Sequence, residues 1–186
     1  MSYSTAVPYL YIMNRSISVG KIETTLTHFM SPVGLLIDEV KIQGGPVFVN
    51  SDQLHLSKGE FEFIAKVRAK SIEVFLEELS PAGLHTFQVT VTEQGLEMNA
   101  IKTVIVPIPA KALAVLKMDS EDALSVDLIS AEAMGAGLKN LVATKLAELN
   151  PIVTADIFPV PVEFLEVRHT GGEVLIIGKA VLTGEA

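Results

Sequence analysis

The strongest alternations in the chain have period two. Phe61, Phe63, Ala65, Val67 and Ala69 alternate with polar or charged residues, and His85, Phe87, Val89 and Val91 alternate with Thr86, Gln88, Thr90 and Thr92. Successive side chains of a strand point to opposite faces, so each run predicts a half-buried strand. Leu35 to Ile42 reads as another strand, closed by Gly44-Gly45-Pro46, with short candidates at Val47–Val49 and Gln53–Leu56 around the polar turn Asn50-Ser51-Asp52. After the turn Glu93-Gln94-Gly95 the chain returns through Leu96 to Ile108. Ala112 to Met118 follows, then the acidic turn Asp119-Ser120-Glu121-Asp122 and Leu124 to Ile129. Four neighbouring strands with short connections predict an antiparallel meander. Val160 to Arg168 and Glu173 to Leu182 flank Thr170-Gly171-Gly172 and predict a closing hairpin.

Helical spacing occurs in two clear places. Ile72, Phe75, Leu76 and Leu79 fall on one helix face, with Ser71 placed to cap it and Ser80-Pro81 to end it. Met134, Leu138, Leu141, Val142, Leu146 and Leu149 form the longest apolar stripe, stopped by Asn150-Pro151. The N-terminal region is ambiguous. Tyr9 to Met13 reads as a strand or a docked arm, within an arm spanning residues 1–20. Val19, Ile22, Leu26, Phe29 and Met30 sit near helical spacing, yet Thr24, Thr25 and Thr27 are β-branched and disfavour a helix. The pattern as a whole predicts one strand-rich α+β domain over residues 1–186.

Two strand details carry further expectations. Val174, Ile176, Ala180 and Leu182 share one face of the last strand and Leu175, Ile177 and Val181 the other, so both faces should be covered. Val106-Pro107-Ile108-Pro109 and Phe158-Pro159-Val160-Pro161 place prolines two apart, which suits a strand edge or a strand start.

Composition sharpens this picture. Apolar residues make up 49% of the chain and charged residues 19%, against about 25% charged in ordinary soluble domains. The mean hydropathy is +0.43. No apolar stretch reaches the ~18 residues of a membrane span, since Lys111 breaks Val104 to Leu116. Met1-Ser2-Tyr3-Ser4-Thr5 offers no basic region ahead of an apolar core, so no secretory signal is expected. A soluble cytoplasmic protein, at most peripheral to a membrane, is the expectation. The apolar excess must then occupy a large core, an oligomer interface or an internal cavity.

The net charge of −8 argues against nucleic acid as a partner. Lys66, Arg68 and Lys70 would share one strand face, which reads as solvated. Without cysteine the chain can build no disulfide, thiolate metal site or cysteine nucleophile. His28, His55, His85 and His169 lack the spacing of a zinc helix. His85 reads as a packed or hydrogen-bonded residue beside Phe87 and Val89, and His169 as solvated. No serine stands in Gly-x-Ser-x-Gly, and no Gly-x-Gly-x-x-Gly is present. The segment Gly172 to Lys179 departs from a phosphate loop in glycine spacing and in having Ala180 where a hydroxyl is needed. Asp119, Glu121 and Asp122 lack the glycine and spaced acids of a calcium loop. No catalytic residue, metal or cofactor is expected, and the chain is read as non-enzymatic.

From about Leu36 onward the order of blocks resembles the LmeA-like phospholipid-binding family. The resemblance lies in Leu36-Ile37-Asp38-Glu39-Val40-Lys41-Ile42, the meander from Leu84 to Ile129 and the helix end Leu146-Ala147-Glu148-Leu149-Asn150-Pro151. It continues in the hairpin from Val162-Glu163-Phe164-Leu165-Glu166-Val167 to Val174-Leu175-Ile176-Ile177. The resemblance implies a curved antiparallel sheet packed on two or three helices, similar to tubular lipid-binding domains. An apolar groove between helix and sheet would hold a lipid or another elongated apolar ligand. Leu138, Leu141, Val142 and Leu146 from the long helix and Ile72, Phe75, Leu76 and Leu79 from the shorter one are the expected lining. Phe87, Val89 and Phe164 are the expected sheet wall. The alternative is a structural or homo-oligomeric scaffold that uses the two-faced last strand.

Overall fold

The structure is a computed structural model that describes residues 16–50, 55–80, 83–103, 105–133, 140, 143–144, 147–148, 150–158 and 160–183. In chain order its strands are β1 (Ser16–Val19), β2 (Ile22–Met30), β3 (Leu36–Gly44), β4 (Val47–Asn50), β5 (His55–Arg68), β6 (Leu84–Thr92), β7 (Gly95–Thr103), β8 (Pro107–Ser120), β9 (Ala123–Ala133), β10 (Val153–Thr154), β11 (Val162–Thr170) and β12 (Glu173–Thr183). Helix α1 (Ala69–Leu79) separates β5 from β6.

The strands form two antiparallel sheets. In the first, β12 lies between β5 and β11, while β3 and β4 share the opposite side of β5. β2 pairs outside β3, and β1 outside β4. Val19 stands opposite Val47 and Ile22 opposite Gly44, so β1–β2 and β4–β3 are two lines of one long hairpin that kinks at Gly20-Lys21 and Gly45-Pro46. Gly45 has φ 136°, and a Cβ there would stand 2.3 Å from the Gly20 carbonyl oxygen, so only glycine fits this close crossing. The second sheet is the expected meander, β6-β7-β8-β9, with β10 added beside β9. Pro107 and Pro109 lie at the start of β8, where it pairs with β7 but has not yet reached β9. A missing N–H on the side of β9 interrupts no ladder there.

Helix α1 forms because Ile72, Phe75, Leu76 and Leu79 share a face directed at the space between the sheets. Ser80 ends it in the left-handed conformation, its N–H donating to the Leu76 carbonyl. The helix begins two residues before the expected cap. Arg68 holds the N-cap position, and the Ser71 hydroxyl instead donates 2.9 Å to Asp38. Glu73 and Glu77 accept from the N–H groups of Val89 (3.0 Å) and Phe87 (2.5 Å). Four helical residues rise about 6 Å and two strand residues about 6.7 Å, so the two carboxylates match alternate donors along the free edge of β6.

Buried side chains of the two sheets meet between them. Val67, Ile72, Val89, Val91, Leu96 and Val174 make one cluster, next to α1. Ala65, Leu124, Val162, Phe164 and Ile176 make a second, near the β8–β9 turn. The sheets are joined along β11 and its turn, where Phe164 N–H donates to the Glu121 carbonyl (2.7 Å) and Gly172 N–H to the Val91 carbonyl (3.0 Å). Leu116 N–H also donates to His169 Nε2 (3.3 Å).

Several expectations change. The stretch from Ile22 to Met30 is a strand, as its three threonines favour, and it keeps one register with β3 throughout, although His28 takes φ 56°. The run from Leu96 to Ile108 splits into β7 and the beginning of β8, and the acidic turn contracts to Glu121-Asp122. Thr86 has φ 56° at a register shift between His85 and Gln88, which puts Leu84, not His85, on the buried face with Phe87. His169 is half-buried and hydrogen-bonded, not solvated. Lys66 is paired with Glu39 and Glu173, and Lys70, on α1, with Glu73. On the inner face of β12 Val174 and Ile176 are buried while Ala180 and Leu182 are half-buried, and Leu175, Ile177 and Val181 on its outer face are also half-buried. In place of two or three helices, α1 is the one α-helix with described bounds, beside a single 3-10 turn at Ala155–Ile157. The stripe from Met134 to Leu149 falls mostly outside the described residues, of which Asn140, Ala143, Thr144, Ala147 and Glu148 are helical and exposed. The Tyr9–Met13 segment and Ser51–Asp52 also lie outside them.

A candidate apolar cleft

The concave face of the first sheet supplies an apolar surface across its width. β5 contributes Phe61, Phe63 and Ala65, β12 Ile176 and Ala180, and β11 Val162 and Phe164. Ile37, Val40 and Ile42 of β3 extend it, and Leu26 and Phe29 of β2 form its outer rim. Leu124, Val153, Phe158 and Val160 close it from the other side. The space is about 300 Å³, and every described wall residue is apolar. Leu26 is 46% exposed and Phe29 40%, so the cleft opens along β2.

An absent side chain shapes the far wall. Gly178 lies opposite Phe63 on one side and Phe164 on the other, and a Cβ there would stand 2.3 Å from the Phe63 ring. With glycine in place the two rings meet edge to face, 6.5 Å apart, and Phe158 adds a second edge contact to Phe164 at 6.4 Å.

Near the closing segment the cleft adjoins a broad, open depression of about 640 Å³ lined by Asp122, Thr154, Asp156 and Pro161, and the two share Phe158, Val160 and Val162. This polar rim is set by backbone bonds. Ile152 N–H donates to the Leu124 carbonyl and Ala155 N–H to the Asp122 carbonyl, which hold the segment after Asn150 against β9 and the β8–β9 turn. The Asn150 side chain does the same one step earlier, bonding both the N–H and the carbonyl of Val126 at 2.9 Å.

The expected site residues separate into four groups. Phe164 lines the cleft. Ile72, Phe75, Leu76 and Leu79 border a much smaller void of about 80 Å³ between α1 and the sheets. Val89 lies in the packed core there, and Phe87 in a third cluster with Leu84, Ala100 and Ala110. Leu138, Leu141, Val142 and Leu146 lie outside the described residues. Sequence reading missed Leu26, Phe29, Ile37, Val40, Ile42, Phe61, Phe63, Phe158 and Val160. The alternation of β5 marked Phe61 and Phe63 as inward, but alternation does not distinguish a filled core from an open one.

The polar groups are mostly engaged. Asp119 accepts from the Ser125 hydroxyl and pairs with Lys117 at 3.6 Å. Lys179 pairs with Glu163 at 2.7 Å, and that bond raises its pKa. His85 is held between Thr86 and Thr103. Burial lowers the pKa of His169. Among the described residues no three His, Asp or Glu side chains converge as a metal site, and no helix is long and apolar enough to cross a membrane. No protein-family model, no curated protein and no solved structure matches this chain.

Proposed function

We propose that this chain binds an elongated apolar ligand, such as a lipid acyl chain, in the cleft on the concave face of the first sheet, and performs no chemistry on it. The observation that carries this reading is the contrast between about 300 Å³ of all-apolar cleft and the close packing a few residues away on the same strands. Protein interiors ordinarily pack to crystal density with few voids. The volume is at the lower limit of ligand sites, roughly 300–1,000 Å³, which suits a single chain better than a bulky molecule. Each methylene transferred there from water contributes about 0.8 kcal/mol. The block pattern that resembles the LmeA-like phospholipid-binding family points the same way. Among the described residues, the side of the cleft facing the first sheet is formed by Leu124, Val153, Phe158 and Val160.

Native mass spectrometry of the purified protein, followed by calorimetric titration with dodecanol, tests this. Co-purified mass in the lipid range, or dodecanol binding that Ala180→Phe abolishes while the circular dichroism spectrum is retained, supports the reading. No bound mass together with no dodecanol binding sinks it. One observation favours a second reading, an oligomeric scaffold. Ile64 (39% exposed) and Leu165 (46%) join Leu175, Ile177 and Val181 on the outer face around β12. A ligand-free homo-oligomer in the same spectrum would favour that reading.

A further inference from the structure

The polar rim beside the cleft carries information about the ligand's other end. A charged or strongly polar head cannot enter a cleft whose walls are all apolar without losing its hydration. It must lie at a rim. Two polar depressions adjoin the cleft. One, bordered by Lys21, Glu60, Glu62 and Lys179, carries both signs of charge and meets the cleft only at Phe61. The other shares three walls with it, Phe158, Val160 and Val162, and among the described residues its ionisable lining is Asp122 and Asp156. Both carboxylates are exposed, and among the described residues neither has a cationic partner. Among the described residues Asp156 accepts the Thr154 hydroxyl. Glu121 lies beside Asp122, and Lys179, the one cation drawn toward Glu121, is already engaged by Glu163.

Resting on the reading of the cleft as a ligand site, we propose that its ligand is a single-chain amphiphile with a cationic head, the chain in the cleft and the head against Asp122 and Asp156. An alkylammonium or a long-chain amino alcohol has this chemistry. A fatty acid or a phosphate-headed lipid is disfavoured by the same two carboxylates. At separations of about 6 Å in a water-like dielectric each carboxylate is worth roughly threefold in affinity, so about tenfold for the pair.

The test compares dodecyltrimethylammonium, dodecanol and dodecyl sulfate, each below its micelle concentration, by calorimetric titration at low ionic strength. The cation should bind about tenfold more tightly than the alcohol, and the sulfate more weakly than either. In Asp122→Asn/Asp156→Asn this ranking should collapse, with dodecanol affinity unchanged. Both side chains are exposed, so the substitutions leave the core intact, and in the unaltered protein added salt should erode the cation's advantage. Equal affinity for all three heads, or a cation preference that survives the double substitution, overturns the head-group inference while leaving the cleft reading in place. No binding of any of the three overturns both.

Discussion

The space between the two sheets has two ends, built from the same strands and finished differently. At the end near α1, Val67 of β5 and Val174 of β12 are 2% and 1% exposed, and helix, sheet and sheet close down to a void of about 80 Å³. At the other end the same two strands present Phe61, Phe63 and Ala180 to an open cleft. The strands' alternation is unbroken between the ends. The difference comes from what lies opposite. α1 turns Ile72 and Leu76 into one end, and its Glu73 and Glu77 bind the β6 edge as a neighbouring strand would. Among the described residues, the other end meets Leu124, Val153, Phe158 and Val160. An apolar sheet face therefore specifies that something covers it, and leaves open whether that is protein or ligand.

Substitutions that treat the two ends alike should therefore give unequal results. The largest effect is expected in the closed end, where Leu96→Ala should cost about 2–5 kcal/mol in urea denaturation. A loss below about 1 kcal/mol would mean that this end is also loosely filled. Next comes the helix clamp. Glu77→Ala leaves the Phe87 N–H without its acceptor and should cost about 1–3 kcal/mol, with faster amide exchange at Phe87. Unchanged exchange at that amide would remove α1's role as a strand substitute.

The seam between the ends should respond to acid. Burial lowers the pKa of His169, whose neutral ring accepts the Leu116 N–H. The unfolded chain then binds the proton more readily, so this contribution is complete above the unfolded value of about 6.5 and is lost as pH falls below it. Glu73 adds a second, lower step. Its pKa is depressed by the Lys70 hydrogen bond first and the Val89 N–H second, so its contribution is present above the ordinary carboxylate range and is lost on further acidification. Thermal melts across pH 7 to 5 should show a decline that His169→Gln flattens. The smallest effect on stability belongs to the open end. Leu26→Ala, on the exposed rim, should change stability by no more than about 0.5 kcal/mol yet weaken dodecanol binding. A core-sized penalty there would show that the rim is structural.

Much of the architecture was legible in the residues. The alternations at Phe61–Val67 and Val89–Val91, the turn at Gln94-Gly95 and the hairpin at Gly171-Gly172 correspond to β5, β6, the β6–β7 turn and β11–β12. Two misreadings fall at residues with positive φ that are not glycine, His28 and Thr86. At Thr86 the register with β7 shifts by one residue, which placed His85 on the wrong face, while β2 keeps one register with β3 through His28. No local composition announces such a shift, because neighbouring strands impose it. The cleft was less legible than the fold. Phe164 and the α1 residues Ile72, Phe75, Leu76 and Leu79, expected around one groove, border two different spaces, the first the cleft and the others the void beside α1.

By itself the sequence determined which positions leave water, where the meander and closing hairpin turn, and that no cysteine, nucleophile elbow or nucleotide loop is available for chemistry. Those properties are local: they depend on side-chain period, turn conformation and residue type. Only the tertiary structure decided that one end of the inter-sheet space is packed and the other open, and that Asp122 and Asp156, 34 positions apart (156 − 122), border the same depression. Whether an apolar face is filled depends on the distance and angle of the opposing layer, and these are set by contacts between residues far apart in the chain. Val67 and Phe63 carry the same pattern, and the presence of α1 over one and its absence over the other is what separates core from cleft.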